Sequence, residues 1–247
     1  MVDPRASEER ERFERLQRLL LDAGDIARSL VELAQIATTV VPAPASCGIT
    51  LRYEHNLLTV GASDARAELL DETQYRLGDG PCLQAVSTGA VVAVPDTRDE
   101  ARWPAYVARA VQAGLRCSLS LPLTVDGDTF GALNVYGYDV PDLFGPGTQR
   151  QLELFATQAA GTLRVAVRQA KDASLLVQME ESLRSRTVID QAIGIIMATR
   201  RCTASAAFEL LRSESQASHR RLREVAAGLI TRTTGIPPEE GRGFHQA

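Results

Sequence analysis

The feature that most constrains this fold is a double change in hydrophobic period. From Asp25 to Val41, apolar residues recur every three or four positions (Ile26, Leu30, Leu33, Ile36, Ala37, Val40), and Pro42 and Pro44 follow. That spacing predicts an amphipathic helix stopped by proline. Ser7 to Leu21 carries a similar stripe (Phe13, Leu16, Leu19, Leu20) and predicts a helix before it. From Cys47 the period becomes two: Cys47, Ile49, Leu51 and Tyr53 alternate with Gly48, Thr50 and Arg52. Leu57–Ala62, Val91–Val94, Cys117–Leu123 and Phe130–Tyr138 read as four further strands, with Asp126-Gly127-Asp128 as a hairpin turn. Pro81–Thr88 and Trp103–Ala113, followed by Gly89 and Gly114, read as helices between them. After Pro146 the period is helical only. The pattern predicts an α+β domain with an antiparallel sheet, then an all-helical segment.

The long helix predicted from Thr148 to Gln169 continues through Leu176, Met179 and Leu183 with near-heptad spacing. A single small domain does not cover so long a stripe, so Leu176, Met179 and Leu183 are expected to face a second copy in a homodimer. Thr203 is an N-cap candidate for a helix over Ala204–Ser213, and Ser215 or Ser218 for a last helix. The segment 235–247 is rich in Pro, Gly and Glu and is expected to be a disordered tail.

Charge divides the chain as sharply as the period does. Between Arg184 and Arg232 nine arginines face four acids, a surplus of five positive charges, while the whole chain carries −4. The remainder therefore carries −9. A basic helical module on an acidic chain points to a polyanion partner, nucleic acid being the commonest; the alternative is a solvated helical bundle. Arg200 and Arg201 close one predicted helix. His219, Arg220, Arg221 and Arg223 open another, where cations oppose the helix dipole. A locally unfavourable cluster is better explained by a partner than by stability.

Other classes find little support. At 247 residues the length allows one or two domains. The charged start MVDPRASEERERFERL is not a signal peptide, and no apolar run approaches a membrane span. Cys47, Cys82, Cys117 and Cys202 are scattered without a C-x-x-C, which fits a reduced, cytoplasmic protein without a disulfide framework, metal or cofactor. No H-E-x-x-H, G-x-S-x-G or Walker sequence occurs. Cys82 follows Gly78-Asp79-Gly80-Pro81 and could start a helix, where a thiolate is stabilised; otherwise the cysteines are small hydrophobes. Asn134 and Tyr136, with Arg116, Ser118 and Ser120, line either a polar ligand cavity or a solvated sheet face. Trp103 is expected to anchor a loop on the sheet.

Two stretches resemble known families. Val188–Met197, Ala207–Arg212 and Arg221–Ala226 resemble an ANTAR domain. The resemblance implies a three-helix, RNA-binding module that dimerises, binds paired hairpins in leader RNA and acts as a transcription antiterminator. Many members carry lysine where this chain has Ile193. The RNA-contacting candidates are then Arg186, Gln191, Arg200, Arg201, Arg212, His219, Arg220, Arg221 and Arg223. Tyr75–Ala85, Arg102-Trp103-Pro104, Ser120–Leu123 and Gly131–Tyr136 resemble a GAF domain of the actinobacterial type, which implies a small-molecule or redox sensor whose ligand is unknown. Its pocket candidates are Cys82, Arg116, Ser118, Ser120, Asn134 and Tyr136.

The expected organisation is an N-terminal helix (1–24), a GAF-like antiparallel sheet flanked by helices (25–168), a coiled-coil linker helix (169–184), an all-α three-helix ANTAR domain (185–234) and a tail (235–247). Function is expected to be regulatory rather than enzymatic. Two alternatives stand beside it. One is a cysteine redox enzyme akin to free methionine sulfoxide reductases, with Cys82 and Cys117 as its pair. The other is a DNA-binding regulator, which the lack of a glycine in the Thr203–Arg232 turn disfavours.

Overall fold

The structure is a computed structural model. It describes residues 26–42, 44–53, 56–169 and 173–238, with the backbone alone described at 26, 27, 165–169 and 173–181. The chain divides near residue 178 into two compact units. The expected helix over Ser7–Leu21 and the end of the expected tail, from residue 239, lie outside the described residues.

In the first unit the elements run α1 (Ile26–Thr38), β1 (Ala45–Tyr53), β2 (Asn56–Ala62), α2 (Ala65–Leu77), α3 (Pro81–Thr88), β3 (Val92–Val94), α4 (Pro104–Gln112), β4 (Cys117–Val125), β5 (Asp128–Gly137) and α5 (Pro146–Gln169). The strands form one antiparallel sheet in the order β2-β1-β5-β4-β3. Register settles which side chains share a face. Gly48 lies opposite Asn134 and Ser46 opposite Tyr136, while Ser120 and Ser118 lie opposite the same two residues from the other side. Side chains alternate across a strand, so these residues form one face and Cys47, Ile49, Leu119, Leu121, Leu133 and Val135 the other.

Both faces are covered. Helices α1 and α5 pack on one, α2 and α3 on the other. The face carrying Leu119, Leu121, Leu133 and Val135 is buried, as are Leu30, Leu33 and Ala37 of α1 and Leu152, Phe155 and Leu163 of α5. Each leucine, valine or phenylalanine among them contributes about 1.5–3 kcal/mol. Trp103 is buried too, in the cluster formed by Tyr106, Leu115 and Tyr136, with the Arg102 guanidinium 4.3 Å over its ring.

Helix α2 was not anticipated from the sequence. Asp64 caps its start by accepting from the N–H groups of Arg66 and Ala67, and Gly78 ends it in the left-handed region. Its buried stripe, Ala67, Leu70, Asp71 and Gln74, has helical spacing, but two of the four residues are polar.

The helix that reaches the second unit is α6 (Ala173–Arg200). Residues 170–172, through which α5 was expected to continue into it, lie outside the described residues, as do the side chains of Leu176 and Met179; Leu183 is half-buried. Helices α7 (Ala204–Ser218) and α8 (Leu222–Thr234) follow. Each contributes one apolar stripe: Val188, Ile189, Ala192, Ile193 and Ile196; Ala207, Phe208 and Leu211; Leu222, Val225, Ala226 and Ile230. Ile193, the position of the family lysine, is therefore a packing residue. Thr203 caps α7 as expected, accepting from Ala206 N–H at 3.3 Å. The boundary between α7 and α8 differs from expectation. Ser215 stays inside α7, where its hydroxyl donates to the Arg220 carbonyl at 2.6 Å, and α8 starts after Arg221.

Candidate sensor site and nucleic-acid interface

The polar face of the sheet meets α2 at Asp71, which is wholly buried. Its Oδ2 accepts from the Thr59 hydroxyl at 2.9 Å, and its Oδ1 from Asn134 Nδ2 at 2.9 Å and from the Tyr136 hydroxyl. The carboxyl rests directly on β1: a Cβ at Gly48 would lie 2.1 Å from Oδ2, so only glycine fits there. Asn134 Nδ2 also donates to Thr50 Oγ1 at 3.0 Å, and the Tyr75 hydroxyl bridges Thr50 and Thr59 at 2.7 and 2.9 Å. Gln74 completes the cluster. Its Nε2 donates to the Tyr136 hydroxyl at 3.0 Å and its Oε1 accepts from Cys82 N–H at 2.8 Å. Gly80, at φ +144°, lets the chain pass over the Gln74 side chain.

Burial governs the electrostatics. Removal from water pushes the Asp71 carboxyl up to about 7, although the bonds from Tyr136, Thr59 and Asn134 pull the other way. Burial, then the neighbouring Asp71, pushes the Cys82 thiol up to about 12. The same two causes raise Tyr75 and Tyr136.

The structure brings most of the expected pocket residues together. Asn134, Tyr136 and Cys82 join the cluster, and Ser118 and Ser120 lie beside them, buried. The hydroxyls of Ser118, Ser120 and Tyr106 and the Asn134 Oδ1 have no hydrogen-bond partner among the described residues. The face is not solvated. Arg116 does not join it: its Nη2 pairs with Asp96 at 2.7 Å, and it lines a separate cleft of about 340 Å³ with Arg98, Tyr138 and Asp139. Of the two readings of Cys82, the small hydrophobe fits better than the thiolate, because burial outweighs the helix start and holds the thiol protonated. Its suggested partner Cys117 lies on the opposite face of the sheet, where its Sγ donates to the Val140 carbonyl at 3.4 Å. The sheet stands between the two sulfurs.

Asp71, Thr50, Thr59, Gln74 and Tyr75 were missed by sequence reading. The available signal was an aspartate on the buried stripe of a helix capped by Asp64 and Gly78.

In the second unit the basic residues gather at two turns. Arg200 and Arg201 end α6, both exposed, with Arg201 in the left-handed region at φ 51°. His219, Arg220 and Arg221 form the exposed turn between α7 and α8, with Arg223 half-buried in the first turn of α8. His219 takes the left-handed position, φ 54°, that glycine ordinarily fills, so the turn is tight without one. Helix α7, of 15 residues, separates the two turns by about 22 Å at 1.5 Å per residue. Gln191 is exposed on α6 and Arg186 half-buried. Arg212 departs from the group. It is buried, and its Nε and Nη2 lie 2.9 and 2.8 Å from Glu209 Oε2, so its guanidinium is turned inward.

Among the described residues there is no group of metal ligands, and no helix long and apolar enough to cross a membrane. Comparison with known proteins agrees with the geometry. Residues 26–164 match the GAF domain family and residues 177–230 the ANTAR domain family. Curated proteins gave no significant match. Among solved structures, the GAF domain of an Acinetobacter phosphoenolpyruvate-protein phosphotransferase superposes with a TM-score of 0.51 at 15% identity, covering 69% of this chain and 99% of that one. The free methionine-R-sulfoxide reductase of Neisseria meningitidis, in complex with its substrate, gives 0.50 at 19% identity, covering 69% and 96%. The A. aeolicus nlh2 GAF domain, in an inactive state, gives 0.51 at 11%, covering 65% and 98%. At these identities the likeness is one of fold. A GAF domain is a signal-sensing type and an ANTAR domain an RNA-binding, antitermination type, and both are regulatory. The chain belongs to the GAF family, with its GAF domain followed by an ANTAR domain.

Proposed function

We propose that this protein is a cytoplasmic, signal-responsive antiterminator whose helical unit, as a homodimer, binds paired hairpins in leader RNA. The observation that carries this reading is the pair of exposed basic turns, Arg200-Arg201 and His219–Arg221, within the ANTAR segment. Two features of these turns favour a partner. Left-handed backbone at Arg201 and His219 costs each about 1–2 kcal/mol relative to glycine. Arg220 and Arg221 also precede α8, where positive charge opposes the dipole. Arginine forks suit phosphates and guanine edges. The proposed contact set is Arg200, Arg201, His219, Arg220, Arg221 and Arg223, with Gln191 and Arg186 on α6; Arg212 belongs to the packing.

The first unit is the sensor in this reading. Its ligand site is the polar layer of Asn134, Tyr136, Ser118, Ser120 and Cys82, where buried oxygens without partners suit a hydrogen-bonding signal molecule. The stripe of Leu176, Met179 and Leu183 joins two copies. Regulation of DNA is the second reading, and the tight α7–α8 turn favours it, since helix-turn-helix units use such a turn.

The test is an Arg220/Arg221/Arg223→Ala variant, checked for folding by circular dichroism. Hairpin RNA affinity is expected to fall at least tenfold, with a shallower salt dependence. Unchanged affinity in the folded variant removes these residues from the interface.

A further inference from the structure

The proposed ligand site leaves the buried Asp71 carboxyl at the centre of the cluster without a role. We infer that it is a proton-operated switch: a proton taken up by the buried Asp71 carboxyl reverses the hydroxyl chain Thr59–Tyr75–Thr50 and is a signal to which the sensor answers. This rests on reading the first unit as a sensor.

The first observation is the company the carboxyl keeps. Its partners, Thr59, Asn134 and Tyr136, are neutral. The titratable groups around it are Glu68 and Tyr75 on α2, Asp64 at its cap, Cys47 on β1, Tyr136 on β5, Cys82 on α3, Tyr106 on α4 and Tyr138 after β5. All are acids. The nearby cation Arg66 is engaged with Asp64 and the Tyr138 ring. Among the described residues, an ionised Asp71 is thus stabilised by hydrogen bonds and not by a cation, and a proton is the direct way to neutralise it.

The second observation is that the cluster can accept that proton with its heavy atoms in place. In the Thr50–Tyr75 and Thr59–Tyr75 pairs either oxygen can donate. With Asp71 ionised, Thr59 donates to Oδ2, Tyr75 to Thr59 and Thr50 to Tyr75. With Asp71 protonated at Oδ2, the carboxyl donates to Thr59, Thr59 to Tyr75 and Tyr75 to Thr50. Oδ1 accepts from Asn134 and Tyr136 in both states. One proton enters from solvent, and no bond between heavy atoms forms or breaks. Thr59 and Tyr75, in the middle of the chain, are half-buried, while both of its ends, Asp71 and Thr50, are buried. At its far end Thr50 faces the Cys82 thiol at 3.5 Å, in the first turn of α3. Reversal changes what holds α2 and α3 to the sheet. The placement of Asp71 at about 7 puts the two states within reach of ordinary pH.

The test uses the full chain. Carbon-13 NMR of the aspartate carboxyls between pH 5 and pH 9, with amide hydrogen exchange of α3, is read without RNA; hairpin RNA affinity is then measured at pH 6 and pH 8 at fixed salt. One carboxyl is expected to titrate between pH 6 and pH 8 and to be missing in Asp71→Asn. Exchange in α3 is expected to follow that titration, and RNA affinity to shift about fivefold or more between the two pH values, the low end of coupling between sites. Asp71→Asn is expected to lose the Asp71 component of the shift. Thr59→Val, which breaks the chain but keeps the carboxyl, is expected to titrate without altering α3. An Asp71 that does not titrate in this range, or titrates with no change in α3 exchange or in RNA affinity, overturns the switch. Absence of RNA binding at every pH counts against the RNA reading instead, and the titration and exchange then decide the inference.

Discussion

At Asp71, protonation and stability are linked in the direction opposite to most carboxyls. The folded protein holds the group near 7, against an ordinary value of 3.8. Between those values the folded state keeps a proton that the unfolded chain has released. The contribution of Asp71 is therefore complete below about pH 4 and is lost as pH rises to about 7. A difference of about three units corresponds to roughly 4 kcal/mol. Urea denaturation is expected to show wild type losing stability from pH 5 to pH 8, with Asp71→Asn losing less. A wild-type profile no steeper than that of the variant contradicts the assignment. The cluster also explains the glycine at position 48, since any side chain there would occupy the carboxyl's place. Arg212 makes a complementary point: residue type alone placed it on the basic face, yet it is the arginine of the group that is buried against Glu209.

At the scale of elements, the two turns flanking α7 hold local strain against a partner's contribution. His219→Gly is expected to raise stability by about 1 kcal/mol, because glycine adopts the left-handed position without penalty, and to weaken RNA binding. Thermal melts and a binding titration on the same sample measure both. A variant that is stabilised with unchanged affinity shows that His219 serves the turn alone.

The strands were legible because alternation is strict: Cys117, Leu119, Leu121 and Leu123 could face only one side, and that placed Ser118, Ser120, Asn134 and Tyr136 together on the other. Helix α2 was not legible, because Asp71 and Gln74 interrupt its apolar stripe, and the partners that justify them lie on β2, β5 and α3. The end of α7 was missed for a related reason. Serines that usually cap helices are spent here inside one, Ser215 on the Arg220 carbonyl and Ser218 on the Glu214 carbonyl. Arg116 was placed in the pocket by its proximity to Ser118, and Asp96 draws it away. For α2 and for Arg116 the deciding contact is distant in sequence; for the end of α7 it is local.

At the scale of the whole chain, charge and architecture agree. The acidic remainder includes the sensor, and the surplus of five positive charges lies between Arg184 and Arg232, largely within the segment matching the ANTAR family. Segregation of this kind keeps a polyanion on the output unit and away from the sensor. The central claim is that this output unit recognises structured RNA. The measurement that tests it most directly is binding of the full chain to a paired-hairpin leader RNA, against scrambled RNA and duplex DNA, over a series of salt concentrations. The account predicts preference for the hairpins and a log–log salt slope of about −3 to −5, from the phosphates that the exposed arginines of the two turns neutralise. Equal binding to all three nucleic acids, or preference for duplex DNA, would contradict it.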